Sequence, residues 1–313
     1  MYSDINSGKK AIPMTTIHVV DAFTKTTDAG NRAGVVMNAD RLSANDMQRI
    51  AAYAGYSETA FILAANSDEH DVRVRYFTPT TEVPICGHAT VAAHALLARA
   101  WRKTDYVIRA ATGAGILPVE VSGTDADLLV TMTQGPVVYG QTITNSHRDE
   151  LLAALSLSKD DLDDGLPIQI VSTGHSKVMV PVHDRAMVDR AVPNSKALTL
   201  LSEIIGCNGY FLFTPEQMEN RFQTYGRMFA PAIGILEDPV TGNANGPAGA
   251  YLTHHLSWDL KEPIVYLGHQ GHKMGKPGVV RVQVSSESDG LVVKVAGHAV
   301  ESGRRLFTSE VQV

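Results

Sequence analysis

The sequence predicts an α+β fold of two pseudo-symmetric domains, each a curved, mostly antiparallel sheet rolled around one central helix. Three observations carry this reading. The first is an internal repeat. Arg75-Tyr76-Phe77-Thr78-Pro79 returns as Arg227-Met228-Phe229-Ala230-Pro231, 152 residues on (227 minus 75), close to half of the 313-residue chain. Each copy leads into a Pro-x-x-Gly turn, Pro84 to Gly87 and Pro239 to Gly242, that opens an Ala-rich run. A single repeat of that length indicates duplication of a domain rather than a solenoid. The second is that strand-like segments outnumber helical ones. The third is one run per half, such as Ala92-Ala93-His94-Ala95-Leu96-Leu97, that is apolar on nearly every face. Such a helix belongs inside something, and a sheet curled around it buries all its faces at once.

The elements follow in order. Ile17 to Ala22 alternates as a strand, a loop carries Gly30-Asn31, and Gly34 to Met37 is a second strand. Ser43 is placed to cap a helix that runs through Asp46 to Tyr53 and stops at Gly55. Strands at Glu58 to Leu63 and Val72 to Phe77 precede the first turn, and the first central helix spans about Ala89 to Trp101. Tyr106 to Ala110, Leu117 to Val121 and Leu128 to Thr133 are strands, and Gly135 to Asn145 reads as the crossover. The second half repeats the scheme. A helix at Arg148 to Leu155 is followed by strands at Ile168 to Ser172 and Lys177 to Val182, then a helix at Ser195 to Ile205. Strands at Tyr210 to Phe213 and Gln223 to Phe229 lead into the second turn, and the second central helix covers about Gly246 to His255. Ile264 to Leu267, Val279 to Val284, Leu291 to Val295 and a last strand near Leu306 to Val311 complete the chain. The expected division is a disordered leader at 1–13, one domain at 14–134 and another at 135–313, whose last strand is free to return to the first.

Composition removes several classes of function. The hydrophobic fraction of 44% and charged fraction of 19% are those of a globular protein, and no apolar run approaches a bilayer span. A net charge of −6 argues against nucleic acid as a main partner, since phosphate-binding faces carry a basic excess. With two cysteines, Cys86 and Cys207, and no hydrophobic signal segment, the expected compartment is the reducing cytoplasm.

The turns before the central helices are where a ligand is expected. Gly87 and Gly242 let the backbone come close to a bound molecule, and the first N–H groups of each helix point toward an anion such as a carboxylate. Glu58 and the pair Glu237-Asp238 bring carboxylates near these turns in sequence, His88 opens the first helix, and Cys86 precedes it. A glutamate can take a proton from carbon as carboxylate and return it as the acid, provided that donors stabilise the negative charge that develops.

Ser57-Glu58-Thr59-Ala60-Phe61, Phe77-Thr78-Pro79 with Cys86-Gly87-His88-Ala89-Thr90, and Glu237-Asp238-Pro239-Val240-Thr241-Gly242 closely resemble the signature segments of the PhzF family, named for a phenazine-biosynthesis isomerase. The likeness extends to Gly30-Asn31, Thr173-Gly174-His175-Ser176-Lys177, Thr241 to Pro247 and Gly268-His269-Gln270-Gly271. It implies a diaminopimelate epimerase-like fold, a homodimer and an active site between the domains. It also implies catalysis without metal or organic cofactor on a small carboxylate, with Glu58 as the acid/base. His88 and Asp238 would hold the substrate, and the backbone at Gly87 and Gly242 would bind its carboxylate. Asn243 stands where the phenazine enzyme has Ser, and Arg32 where Pro commonly follows Gly30-Asn31. Asn31, Asn243 and Arg32 are therefore expected to border the ligand, and the phenazine precursor is not the expected substrate.

Two rivals follow from the same residues. Related epimerases use a pair of thiols at these turns. Cys86 lies on the first turn, so an amino-acid-type epimerase acting through Cys86 is one alternative. A family member that only binds a small anion or a protein is the other. His269 and His272 have the spacing of a metal pair, but no carboxylate or cysteine stands nearby in sequence, and no metal is expected.

Overall fold

The computed structural model describes residues 12–218 and 221–308. The first half contains β1 (Thr15–Ala22), β2 (Asn31–Val36), α1 (Ala44–Ala54), β3 (Thr59–Ala64), β4 (Val72–Phe77), β5 (Glu82–Val83), α2 (Gly87–Trp101), β6 (Tyr106–Thr112), β7 (Gly115–Thr124) and β8 (Asp127–Thr133). The second contains β9 (Val138–Thr142), α3 (Asn145–Leu155), β10 (Gln169–Ser172), β11 (Ser176–Pro181), α4 (Arg185–Arg190), α5 (Ser195–Ile205), β12 (Tyr210–Met218), β13 (Arg221–Ala230), β14 (Ile235–Asp238), α6 (Gly242–His255), β15 (Ile264–Gln270), β16 (Gly278–Glu287), β17 (Gly290–Gly297) and β18 (Ala299–Phe307).

The pairing is the same in both halves. β1 is antiparallel to β2, β2 parallel to β3, β3 antiparallel to β4 and β4 parallel to β6, with β7 and β8 continuing antiparallel. β10, β11, β12, β13, β15, β16 and β17 repeat that order with the same directions. β8 and β17 then pair with each other and join the two rolls. Followed strand by strand from Phe77 and Phe229, the register makes Met132 the counterpart of Val295, and these two residues face each other. The pseudo-dyad passes between them. After it, the strand that follows each roll pairs with the other: β9, which follows β8 in the chain, pairs with β10, and β18, which follows β17, pairs with β1.

The repeated arginine does the same work twice. Arg75 grips Glu82 on the returning β5 with two bonds of 2.7 Å, and Arg227 grips Glu237 on β14 at 2.9 and 2.8 Å. Each guanidinium also lies over the phenylalanine two residues on, Phe77 or Phe229.

The central helices are as apolar in place as in sequence. α2 packs on β1, β2, β3, β7, β8 and β18, and α6 on β10, β11, β16 and β17. Eleven of the fifteen residues of α2 and eleven of the fourteen of α6 are buried. Both helices begin earlier than the sequence predicts, at Gly87 and Gly242, because glycine, asparagine and proline in a first turn look like loop. In α6 these small residues are there for closeness. A Cβ on Gly249 would lie 2.9 Å from Val282 and 3.0 Å from Tyr266.

Other boundaries also differ. β9 lies in the stretch read as crossover, and the half-buried β18 occupies Ala299–Phe307, where charges at Glu301, Arg304 and Arg305 mask the alternation. α4 has no counterpart in the sequence prediction. Residues 1–11 of the predicted leader and 309–311 of the predicted last strand lie outside the described residues, whereas Ile12 is buried against Ile17 and Phe307. Ser43 caps α1 as expected and forms a capping box with Asp46, and the helix ends at Gly55 with φ of 69°.

His94 is fully buried in α2, with Nδ1 donating to the Thr90 carbonyl at 2.9 Å, and burial pushes its pKa down to about 4. The unfolded chain therefore takes this proton first. Stability is full above the ordinary histidine pKa of about 6.5 and falls as pH drops toward 4. Urea titrations are expected to show this acid slope, and His94→Met is expected to flatten it. An unchanged slope would remove His94 as its source.

Candidate active site

The site begins where β3 meets the start of α2. Glu58, immediately before β3, is fixed through its carbonyl, which accepts from Gly34 N–H at 3.1 Å. Its carboxylate Oε2 lies 3.3 Å from His88 Nε2, which also meets Ser57 Oγ at 3.3 Å. The other ring nitrogen, Nδ1, lies 3.4 Å from Cys86 Sγ, so thiol, imidazole and carboxylate form one cluster. Cys86 is the N-cap of α2 and gives no side-chain cap, leaving the first turn open at Gly87. Burial, with the charges of Glu58 and Asp238 adding to it, pushes the Cys86 thiol well above its usual pKa.

The second wall is built on the end of β14. Asp238 accepts from Asn31 Nδ2 at 2.8 Å through Oδ1 and from the Thr241 hydroxyl through Oδ2. Asn31 also donates to the Val240 carbonyl at 2.9 Å, so one side chain of β2 ties the first half to the second turn. Fully buried Gln270 holds that turn. It donates to the Asp238 carbonyl at 2.7 Å and accepts from Thr241 N–H and Asn245 Nδ2, both at 3.1 Å. Burial raises the Asp238 pKa and the nearby Glu58 charge adds to this, while His88, Thr241 and Asn31 oppose it. The four groups Glu58, Cys86, His88 and Asp238 thus form one electrostatic unit between the two helix starts. Glu58, Cys86 and His88 have donor atoms within 4.8 Å of one another, a set able to hold a divalent ion at the expense of their mutual contacts.

A cavity of about 330 Å³ opens beside this unit between the two rolls. Gly87 and Thr90 of α2, Asn243 of α6 and the Thr173–His175 turn line it, with Tyr76, Leu117, Val119 and Met132 as apolar wall. Asn243 accepts from Gln134 Nε2 at 3.0 Å, and Gln134 in turn accepts from the Thr173 hydroxyl. A second cavity of about 420 Å³ is lined by Phe23, Lys25, His269, His272, Arg281 and His298. The two helix starts differ where the register equates Gly174 with Phe23. Gly174 leaves the start of α2 open, whereas the Phe23 ring packs against Gly242 and Gly297 on the opposite side.

Of the predicted site residues, Glu58, Cys86, His88, Asn31 and Asp238 come together, and Gly87 and Asn243 border the adjoining cavity. Gly242 starts α6 beneath Phe23. Two expectations are corrected. Glu237 is no second site carboxylate, because side chains alternate along β14 and Arg227 holds it on the other face. Arg32 does not border the ligand. It sits one residue beyond Asn31 on β2 and pairs with Asp21 at 2.7 and 3.0 Å and with Asp28 at 2.6 Å. His269 and His272 line the second cavity. Ser57, Gln134 and Gln270 join the site without having been singled out. A buried glutamine closing a strand before Gly271, at φ of 84°, is the signal that was available for Gln270.

Residues 20–304 match the family described as phenazine biosynthesis-like protein, and the chain belongs to this family of isomerases. Its relatives include the uncharacterized isomerase YddE of Escherichia coli K12, 45% identical over 286 residues that cover 91% of this chain and 95% of that one. The trans-2,3-dihydro-3-hydroxyanthranilate isomerase of Pseudomonas chlororaphis is 30% identical over 91% of this chain and 96% of its own. A crystal structure of a PhzF-family phenazine biosynthesis protein from Bacillus anthracis superposes with a TM-score of 0.86 at 32% identity, covering 95% and 99% of the two chains. A hydroxyproline epimerase from Agrobacterium vitis shares the fold, with a TM-score of 0.59 at 12% identity over 94% and 92%. Among the described residues, no helix is long and apolar enough to cross a membrane.

Proposed function

We propose that this isomerase moves a carbon-bound proton on a small carboxylate substrate, with Glu58 as the single acid/base and without an organic cofactor or metal. The observation that carries the reading is the placement of the Glu58 carboxylate, 3.3 Å from His88, beside the open start of α2 and across from Asp238. Glu58 takes a proton from an activated carbon, and the electron pair it leaves spreads over the substrate's adjoining π system. Protonated Glu58 then delivers the proton to a second carbon and returns to carboxylate. The N–H groups at the open start of α2, from Gly87 on, face the substrate carboxylate, while His88 and Asp238 hold its polar substituent. The named activity of the Pseudomonas chlororaphis relative fits this chemistry. Asn243, bound to Gln134, shapes the cavity for a different substrate. The working form we propose is a cytoplasmic homodimer.

The test is hydrogen exchange at carbon. Carboxylated metabolites, trans-2,3-dihydro-3-hydroxyanthranilate among them, are incubated with the enzyme in deuterated buffer and followed by NMR. Deuterium in at least one of them supports the reading. Binding without exchange anywhere in the panel favours the non-catalytic alternative.

The thiol-based epimerase has less support. Burial keeps Cys86 protonated, a thiol is a poor base, and the second turn presents Asp238 where a partner thiol would stand. Cys86→Ala is therefore expected to keep exchange within about tenfold of the wild type, well short of a lost general base. Abolished exchange in a folded Cys86→Ala protein would reverse the assignment.

A further inference from the structure

Lys177 is a buried cation that the chemistry above leaves unused. Only 7% of it is exposed, its Nζ donates to the Ser176 carbonyl at 3.1 Å, and it has no carboxylate partner among the described ion pairs. A buried ammonium without an anion carries a desolvation cost of several kcal/mol. Its position comes from the duplication. The register equates Thr59 with Tyr210, so the counterpart of Glu58 is Gly209. The backbone confirms the match: Gly34 N–H donates to Glu58 O in one half, and Val178 N–H to Gly209 O in the other. Gly209 has no side chain, and the Lys177 stem fills that space. A Cβ on Gly209 would lie 2.9 Å from Lys177 Cε and 3.1 Å from Met228 Cε, and Met228 is the register partner of Asp238. Along the chain Lys177 follows, two residues on, the Gly174–His175 turn that lines the cavity, and its charge is felt at His175. Burial lowers the pKa of Lys177, with Cys207 and Asp238 opposing, and the Lys177 charge helps to depress that of His175 after burial.

We infer that Lys177 is a substrate-binding residue of the second wall, whose ammonium pairs with a carboxylate of the ligand opposite Glu58. This rests on the reading of the site as one for a carboxylate substrate. The missing counter-ion is then supplied by the substrate, and the second half contributes a fixed charge where the first contributes the base.

The test uses benzoate and its neutral analogue benzamide, titrated calorimetrically into the full-length protein. Wild type is expected to prefer benzoate by about tenfold or more, which is about 1.4 kcal/mol. Lys177→Met keeps the stem over Gly209 and is expected to remove the preference, and Lys177→Arg to restore part of it. A merely structural lysine would change stability without changing the ratio of the two affinities. If wild type binds both probes alike or not at all, or if Lys177→Met retains the preference, the assignment falls. Glu58→Gln separates the two readings: it is expected to lose exchange and keep the benzoate preference. A Lys177-dependent preference in a wild-type protein that exchanges nothing would overturn the isomerase mechanism and leave Lys177 in place.

Discussion

Glu58→Gln is expected to abolish deuterium exchange into the substrate, with kcat falling on the order of a thousandfold while the fold and carboxylate binding persist. Glutamine keeps the size of the side chain and its place beside His88, 3.3 Å from Nε2 in the wild type, but removes the basic oxygen. The comparison that matters is kcat against KM. A general base acts on the reacting carbon, so its loss falls on kcat, whereas loss of a positioning contact would raise KM. Thermal unfolding of the variant, measured alongside, should coincide with that of the wild type. Exchange retained within tenfold would show that the proton moves through another group, and Asp238 and Cys86 are the neighbours to examine next.

The second large effect is on stability. Arg75 and Arg227 occupy the same place in the repeat, yet their removal is expected to differ several-fold in cost. Arg227 and Glu237 are 6% and 16% exposed, and Arg227 Nη1 also donates to the carbonyls of Val188 at 3.1 Å and Ala191 at 2.8 Å. Arg227→Ala strands a nearly buried carboxylate and two carbonyls, at about 3 to 5 kcal/mol. Arg75 and Glu82 are 33% and 43% exposed, and water replaces their bonds, so Arg75→Ala should cost about 1 kcal/mol or less. Urea titrations of the two variants provide the check. Equal costs would mean that the ion pair in the second half is no better sheltered than that in the first.

Much of this was legible in the sequence because the duplication is. Two copies of Arg-x-Phe-x-Pro before a Pro-x-x-Gly turn identify equivalent strands and helix starts, and the apolar runs after them identify the cores of the two rolls. Glu58, His88, Cys86 and Asp238 were readable for the same reason, since each lies within a few residues of a turn or of a recognised segment. What escaped depends on contacts distant in sequence. Gln134 meets Asn243 across 109 residues and Gln270 meets Thr241 across 29, so no local pattern relates them. Glu237 and Asp238 differ in role only through the alternation of β14, which a two-residue acidic pair does not reveal. Strand β18 was misplaced because its partner β1 lies at the far end of the chain, and its charged outer face gives no period to read.

The strands exchanged across the pseudo-dyad make the two halves interdependent. A half-length chain with this topology cannot seal its own roll. It would close only as a pair, each copy lending its final strand to the other, as β9 and β18 now do within one polypeptide. Within the one polypeptide the two helix starts are unlike: glycine at 174 leaves the start of α2 open to its cavity, and phenylalanine at 23 packs over the start of α6.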